Sequence, residues 1–196
     1  MADEIIRQGP GFTVYRTGDW GPPVPYPAIV RASSVNHGFY DLRDHPELAA
    51  QIPEASRSVG LQAILRALNA PGSPFMSLGC EYRLNQRDGS SDGLTCYFHS
   101  YVDLTYRDPA RHSSEGQMVS LAERFLQEVK GSQDAVFGFE IAVQRMKHFF
   151  GNLAGYSLNL GLSGYGRTEE QAAKSYEAGA YETAKAFTKL SRDNPI

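Results

Sequence analysis

Residues 94–108, LTCYFHSYVDLTYRD, alternate between two kinds of side chain. One set is apolar apart from Ser100 and consists of Leu94, Cys96, Phe98, Val102, Leu104 and Tyr106. The other set is polar or aromatic and consists of Thr95, Tyr97, His99, Tyr101, Asp103, Thr105 and Arg107. A period of two is typical of an extended strand. The pattern therefore predicts a strand with one face in a core and the other face exposed.

A second alternating segment precedes this strand at 75–86, and its apolar set is Met76, Leu78, Cys80, Tyr82 and Leu84. The turn-rich sequence RDGSSDG separates the two segments, so they are predicted to form a β-hairpin. Further strands are predicted at 12–16, 28–35, 135–143 and 156–163. Residues 144–150 fit strand and helix spacing equally well.

Apolar stripes at helical spacing predict three main helices. The first spans about 56–69, the second runs from Ser113 or Ser114 to Gly131, and the third runs from Thr168 to about residue 190. Before them, residues 20–27, WGPPVPYP, favour extended backbone because proline fixes φ.

The order of elements after residue 27 is β-α-β-β-α-β-β-α, which predicts an α+β fold with an antiparallel sheet and helices on one face. Its first six elements follow the ferredoxin-like βαββαβ order, extended by a further strand and a C-terminal helix. A tandem ββα arrangement over 75–131 and 135–191 is the alternative. A single domain over 1–196 is expected, with a loop-rich segment at 1–35 and a core at 36–196.

The amino-acid composition and charge argue against several classes of function. The chain has 41% hydrophobic residues and a net charge of -3, with no clustered basic excess. A nucleic-acid or anionic-membrane surface is therefore not expected. The start MADEIIRQGPG lacks the apolar region of a signal peptide, and no apolar run reaches the roughly 20 residues of a membrane helix. A cytoplasmic protein is expected, with Cys80 and Cys96 reduced and buried.

The polar face of the hairpin is the candidate site. Its register can shift only in even steps, because both apolar sets must face one core. Placing Gln86 opposite Leu94 brings Glu81 to face His99 and Arg83 to face Tyr97, within about 5.5 Å. The same register places Gly79 and Ser77 opposite the remaining polar residues, Tyr101 and Asp103. Later strands would extend this surface with Glu140, Gln144, Ser157 and Asn159.

Metal and cofactor sites are not expected. The five histidines lack metal-binding spacing, and the cysteines are predicted on the face opposite His99. The glycines of GLSGYGR match neither a dinucleotide fingerprint nor a P-loop.

Three functions are compatible with the face. The first is an interaction protein that contacts a protein partner, or itself as a homodimer, through Tyr97, Tyr101, Asp103 and Arg83. The second is a small cofactor-independent enzyme acting on a small molecule, with His99 as acid–base and Glu81 orienting it. The third is single-stranded RNA binding, against which the missing RNP-like run and the negative charge both argue.

Overall fold

A six-stranded sheet organises the computed structural model of the chain, which describes residues 3–31, 34–86, 93–129, 136–151 and 154–193. The sheet consists of β1 (Glu4–Gly9), β2 (Phe12–Arg16), β5 (Phe75–Gln86), β6 (Cys96–Tyr106), β7 (Phe137–Lys147) and β8 (Ala154–Gly166). Their spatial order is β1-β2-β7-β8-β6-β5. All neighbours are antiparallel except β2 and β7, which are parallel. Two short strands, β3 (Ile29–Arg31) and β4 (Ser34–Asn36), pair separately.

Four α-helices occur in the described part of the chain: α1 (Val59–Asn69), α2 (Pro109–His112), α3 (Glu115–Glu128) and α4 (Glu169–Arg192). Short 3-10 segments lie at Pro46–Gln51, Ala55–Arg57 and Phe149–Gly151. The predicted cap of the last helix is confirmed, since Thr168 Oγ1 accepts a hydrogen bond from the Gln171 backbone N–H. None of the helices in this part of the chain is long and apolar enough to cross a membrane.

The mixed α+β class is confirmed, but the ferredoxin-like order is not. The predicted strand 28–35 is instead the separate β3–β4 pair, so it supplies nothing to the six-stranded sheet. The four strands β7-β8-β6-β5 are two hairpins, each followed by a helix. That element order is the one in the ββα alternative. The ambiguous residues 144–150 continue strand β7 to Lys147 before the turn at Phe149–Gly151.

The main core lies between one face of the sheet and helices α1, α3 and α4. Phe125 stacks on Phe187 at 5.2 Å between ring centroids, and Phe75 meets Phe187 edge-on at 5.6 Å. Helix α4 approaches strand β8 so closely that a Cβ atom on Gly164 would lie 2.1 Å from the Tyr176 backbone nitrogen. A glycine is therefore required there by the contact between helix and sheet.

The other face of the sheet is partly covered by residues 20–27, here named the strap. The strap follows β2 and stays beside β7, because the Gly21 N–H donates to the Arg145 carbonyl at 2.8 Å. Val24 of the strap packs in a second apolar cluster, whose other buried members are Met76, Leu78, Met146 and Phe149. The open face of the sheet is thus divided into a covered and an uncovered part.

The covered part explains one wrong prediction. Met76 and Leu78 were expected on the same face as Cys80, but they pack under the strap, whereas Cys80 packs against the main core. The reason is an irregularity in the pairing of β5 with β6 between Ser77 and Gly79. An extra residue in one strand reverses the faces of all residues before it.

Candidate functional site on the open face of the sheet

The hairpin register differs from the predicted one by two residues. Gln86 pairs with Cys96, not with Leu94, and the polar face shifts with it. The predicted pairing of Glu81 with His99 is therefore wrong, as is that of Arg83 with Tyr97. The shift is an even step, as the shared core requires.

In the actual register Arg83 lies opposite His99, and Glu81 lies opposite Tyr101. The neighbours Asn85 and Gly79 take the positions opposite Tyr97 and Asp103. A cation rather than a carboxylate is therefore the cross-strand neighbour of the imidazole.

His99 is half-buried, and its hydrogen-bonding neighbour is on strand β8. Its Nδ1 atom lies 2.9 Å from Ser163 Oγ, and no carboxylate of the described residues is within hydrogen-bonding distance of the ring. Burial lowers the pKa of His99, and the Arg83 guanidinium lowers it further, while Glu140 and Glu81 act in the opposite direction. The neutral imidazole is thus the form present near pH 7.

Asp103 is not on an exposed face, contrary to the sequence-based expectation. Its side chain lies under the strap and is 6% exposed. It accepts a hydrogen bond from the Tyr26 hydroxyl at 2.8 Å and another from Asn159 Nδ2 at 2.7 Å. Burial raises the pKa of the Asp103 carboxyl to about 6, although both hydrogen bonds act to lower it. Asp103 therefore holds the strap on the sheet and is closed to a partner.

The uncovered part of the face forms a groove of about 710 Å³ across strands β1, β2, β7 and β8. Its open-face lining consists of Asp3, Ile5, Gln8, Thr13, Tyr15, Gly138, Glu140, Ser163 and Tyr165. Tyr97 and His99 continue this surface on β6, where they pair with Tyr165 and Ser163.

Aromatic and hydrogen-bonding groups are concentrated along the groove. Tyr97 stacks on Tyr165 with 5.9 Å between the ring centroids and 28° between the planes. The Tyr15 hydroxyl donates to Glu140 Oε1 at 3.0 Å. Burial and this carboxylate together raise the pKa of Tyr15 to about 12, so its hydroxyl remains a donor at neutral pH. A partner would therefore meet flat rings beside fixed polar groups.

The predicted site residues are separated by the structure. Tyr97 and His99 lie beside the groove, while Tyr101 and Glu81 line a different pocket at the β5 edge. Arg83 is exposed and lies 3.6 Å from Glu81 along its own strand.

Sequence reasoning missed three tyrosines of this face: Tyr15, Tyr26 and Tyr165. Tyr165 could have been predicted on this face, because the alternation of residues 156–163 continues to it at the same period. Tyr15 and Tyr26 could not have been predicted there, because nothing in the sequence around them indicates that they lie on this face of the sheet.

No protein-family model, curated protein or solved structure matches this chain.

Proposed function

We propose that this chain is a binding protein that holds a segment of a protein partner in the groove on the open face of its sheet. The observation that carries the proposal is the exposure of large apolar side chains there, beside stacked tyrosines. Ile5 is 62% exposed and Val136 is 49% exposed, and both border the groove. Exposed apolar and aromatic groups rimmed by polar ones mark interaction surfaces.

The strap supports a polypeptide as the occupant. On the covered part of the same face, the strap packs through Val24 and Tyr26. The groove continues this face with comparable chemistry, namely tyrosine rings and the side chains of Thr13 and Ser163. A partner segment in the groove would pack on the sheet in the same way.

Charge favours a basic segment from a different protein. Asp3 and Glu140 are the charged residues among the described ones that line the groove, and both are acidic. A lysine or arginine flanked by apolar residues would complement them. Self-association through this groove would bring the same carboxylates together, and RNA phosphates would be repelled by them.

A peptide library displayed on phage tests the proposal, with wild-type protein as bait and affinities of selected peptides measured by fluorescence anisotropy. We expect selected peptides to carry a basic residue between apolar ones. Tyr165→Ala and Glu140→Gln should each weaken the affinity for these peptides by about tenfold, equivalent to about 1.4 kcal/mol. Glu169→Gln, an exposed change on α4, is the control and should have no effect.

Two results would reject this function. One is selected peptides whose affinities are unchanged by both groove variants. The other is a wild-type dimer in light scattering that Tyr97→Ala/Tyr165→Ala converts to monomer, which would assign the face to self-association.

A second candidate, a cofactor-independent enzyme, is favoured by the 2.9 Å distance between His99 Nδ1 and Ser163 Oγ. A neutral imidazole beside a hydroxyl can accept its proton in acyl transfer. Glu81 cannot orient the imidazole in this register, so the pair acts without the predicted His–Glu contact. The test is hydrolysis of p-nitrophenyl acetate by wild type, His99→Gln and Ser163→Ala. Activity in wild type that both variants lose would support the enzyme function. Equal rates in the three proteins would exclude it.

A further inference from the structure

A separate pocket of about 230 Å³ lies at the β5 edge of the sheet, between that strand, the end of the strap and residues 52–54. Three phenol rings and two carboxylates line it, from Tyr26, Tyr40, Tyr101, Glu54 and Glu81. It shares no lining residue with the groove proposed above.

The pocket is built by close contacts in the folded chain. A Cβ atom on Gly79 would lie 2.8 Å from Tyr26 Cε2, so the tyrosine ring rests directly on the strand backbone. The other end of Tyr26 is fixed by its hydrogen bond to Asp103. A ring held at both ends needs little reorganisation when a ligand binds.

Electrostatics in the pocket are dominated by anions. Burial raises the pKa of Tyr101 to about 12, and Asp103, Glu81 and Glu54 add to the increase. Burial likewise raises the pKa of Cys80 to about 12, with Glu54 and Asp103 acting in the same direction. No cation contributes at either position.

The carboxylates are not neutralised by strong ion pairs. Glu54 has no ion-pair partner among the described residues. Glu81 lies 3.6 Å from the Arg83 guanidinium, but the two side chains are 39% and 56% exposed, so solvent screens the pair. The pocket therefore holds two carboxylates without a buried ion-pair partner, beside aromatic rings and the exposed imidazole of His37.

We propose that this pocket binds a small organic ammonium ion. Carboxylates supply the opposite charge, and tyrosine rings attract cations through their π faces. A bare metal ion is less suitable, because no group of three His, Cys, Asp or Glu side chains converges among the described residues. The volume of about 230 Å³ also exceeds what a single metal ion fills.

Titration by NMR tests this site, with the backbone amide of Gly79 as the reporter. The probes are tetramethylammonium and methylammonium at constant ionic strength, with tert-butanol as a neutral molecule of similar size to the first. We expect saturable binding of an ammonium probe at millimolar concentration and none of tert-butanol. Tighter binding of tetramethylammonium would identify a quaternary head group as the ligand, and tighter binding of methylammonium would identify a primary amine.

Variants distinguish binding in this pocket from nonspecific attraction of cations to the charged surface. Glu54→Gln/Glu81→Gln should weaken binding at least tenfold while thermal unfolding stays unchanged, because glutamine preserves the shape of the side chain. Glu169→Gln on α4 removes one charge far from the pocket and should leave the affinity unchanged. The proposal is overturned if neither cation shifts Gly79, if tert-butanol binds equally well, or if the double variant binds like wild type.

Discussion

The Tyr26 hydroxyl donates a 2.8 Å hydrogen bond to Asp103 Oδ2, joining residues that are 77 positions apart in the sequence. This bond ties the strap to the open face of the sheet. The strap covers one part of that face and leaves another part accessible as the groove.

Removing the donor should loosen the strap. We expect Tyr26→Phe to lower the free energy of unfolding by about 1.5–3 kcal/mol at pH 7, because a buried hydrogen bond to a charged group is lost. Urea denaturation measures the change. Tyr181→Phe alters a tyrosine that is 47% exposed on α4 and should leave stability unchanged. Equal stability of wild type and Tyr26→Phe would mean that the strap is held by apolar packing alone.

Asp103 should make the stability depend on pH. Its folded-state pKa of about 6 lies above the usual value of 3.8, so its protonated form favours the fold. This contribution is fully present below pH 4 and is lost as the pH rises through 6, with a total of about 3 kcal/mol.

Asp103→Asn isolates that contribution, because the amide does not titrate. The difference in unfolding free energy between wild type and variant, measured by urea denaturation from pH 4 to 7, should fall across this range and stay constant above it. A difference that does not vary with pH would show that Asp103 ionises in the fold as it does in the unfolded chain.

The pKa of His99 should report the actual hairpin register. Burial and Arg83 keep it below the ordinary value of 6.5. Arg83→Ala removes a facing positive charge and should raise it, whereas Glu81→Gln removes a negative charge and should lower it. NMR titration of the His99 ring protons measures both changes. A pKa that responds to Glu81 but not to Arg83 would favour the originally predicted pairing.

Gly164 should tolerate no side chain. Its added Cβ atom would lie 2.1 Å from the Tyr176 nitrogen in α4, and backbone cannot yield as a flexible side chain can. We expect Gly164→Ala to destabilise the fold by about 3 kcal/mol or more. Thermal or urea unfolding gives the value.

Gly116→Ala on α3 is the matched control, since its Cβ would meet only Ser114 Oγ at 3.9 Å. Alanine in a helix should be neutral or stabilise by about 0.5–1 kcal/mol. Similar losses for both variants would contradict the close packing of α4 on β8.

Local patterns in the sequence were sufficient to predict several elements. Alternation predicted β2 at Phe12–Arg16 and both strands of the β5–β6 hairpin, and the Thr168 cap marked the start of α4. These features succeed because they depend on the period of the side chains and on hydrogen bonds within a few residues.

The candidate site was predicted less well, because it depends on distant residues. The alternation of β6 placed Tyr97, His99 and Asp103 on one face, but it could not show that the strap buries only Asp103. Nor could it show that Ser163 rather than Glu81 lies beside His99.

Alternation along the chain was enough to show which side chains share a face of β6, which pairs regularly, since that follows from a backbone period of two. The strand order, the register and the position of the strap are set by contacts in the folded chain. The irregularity between Ser77 and Gly79 reverses the inward side of β5, and packing across the sheet selects it over the regular pairing. All of these features depend on contacts between residues far apart in the chain, and local patterns in a single sequence do not predict such contacts.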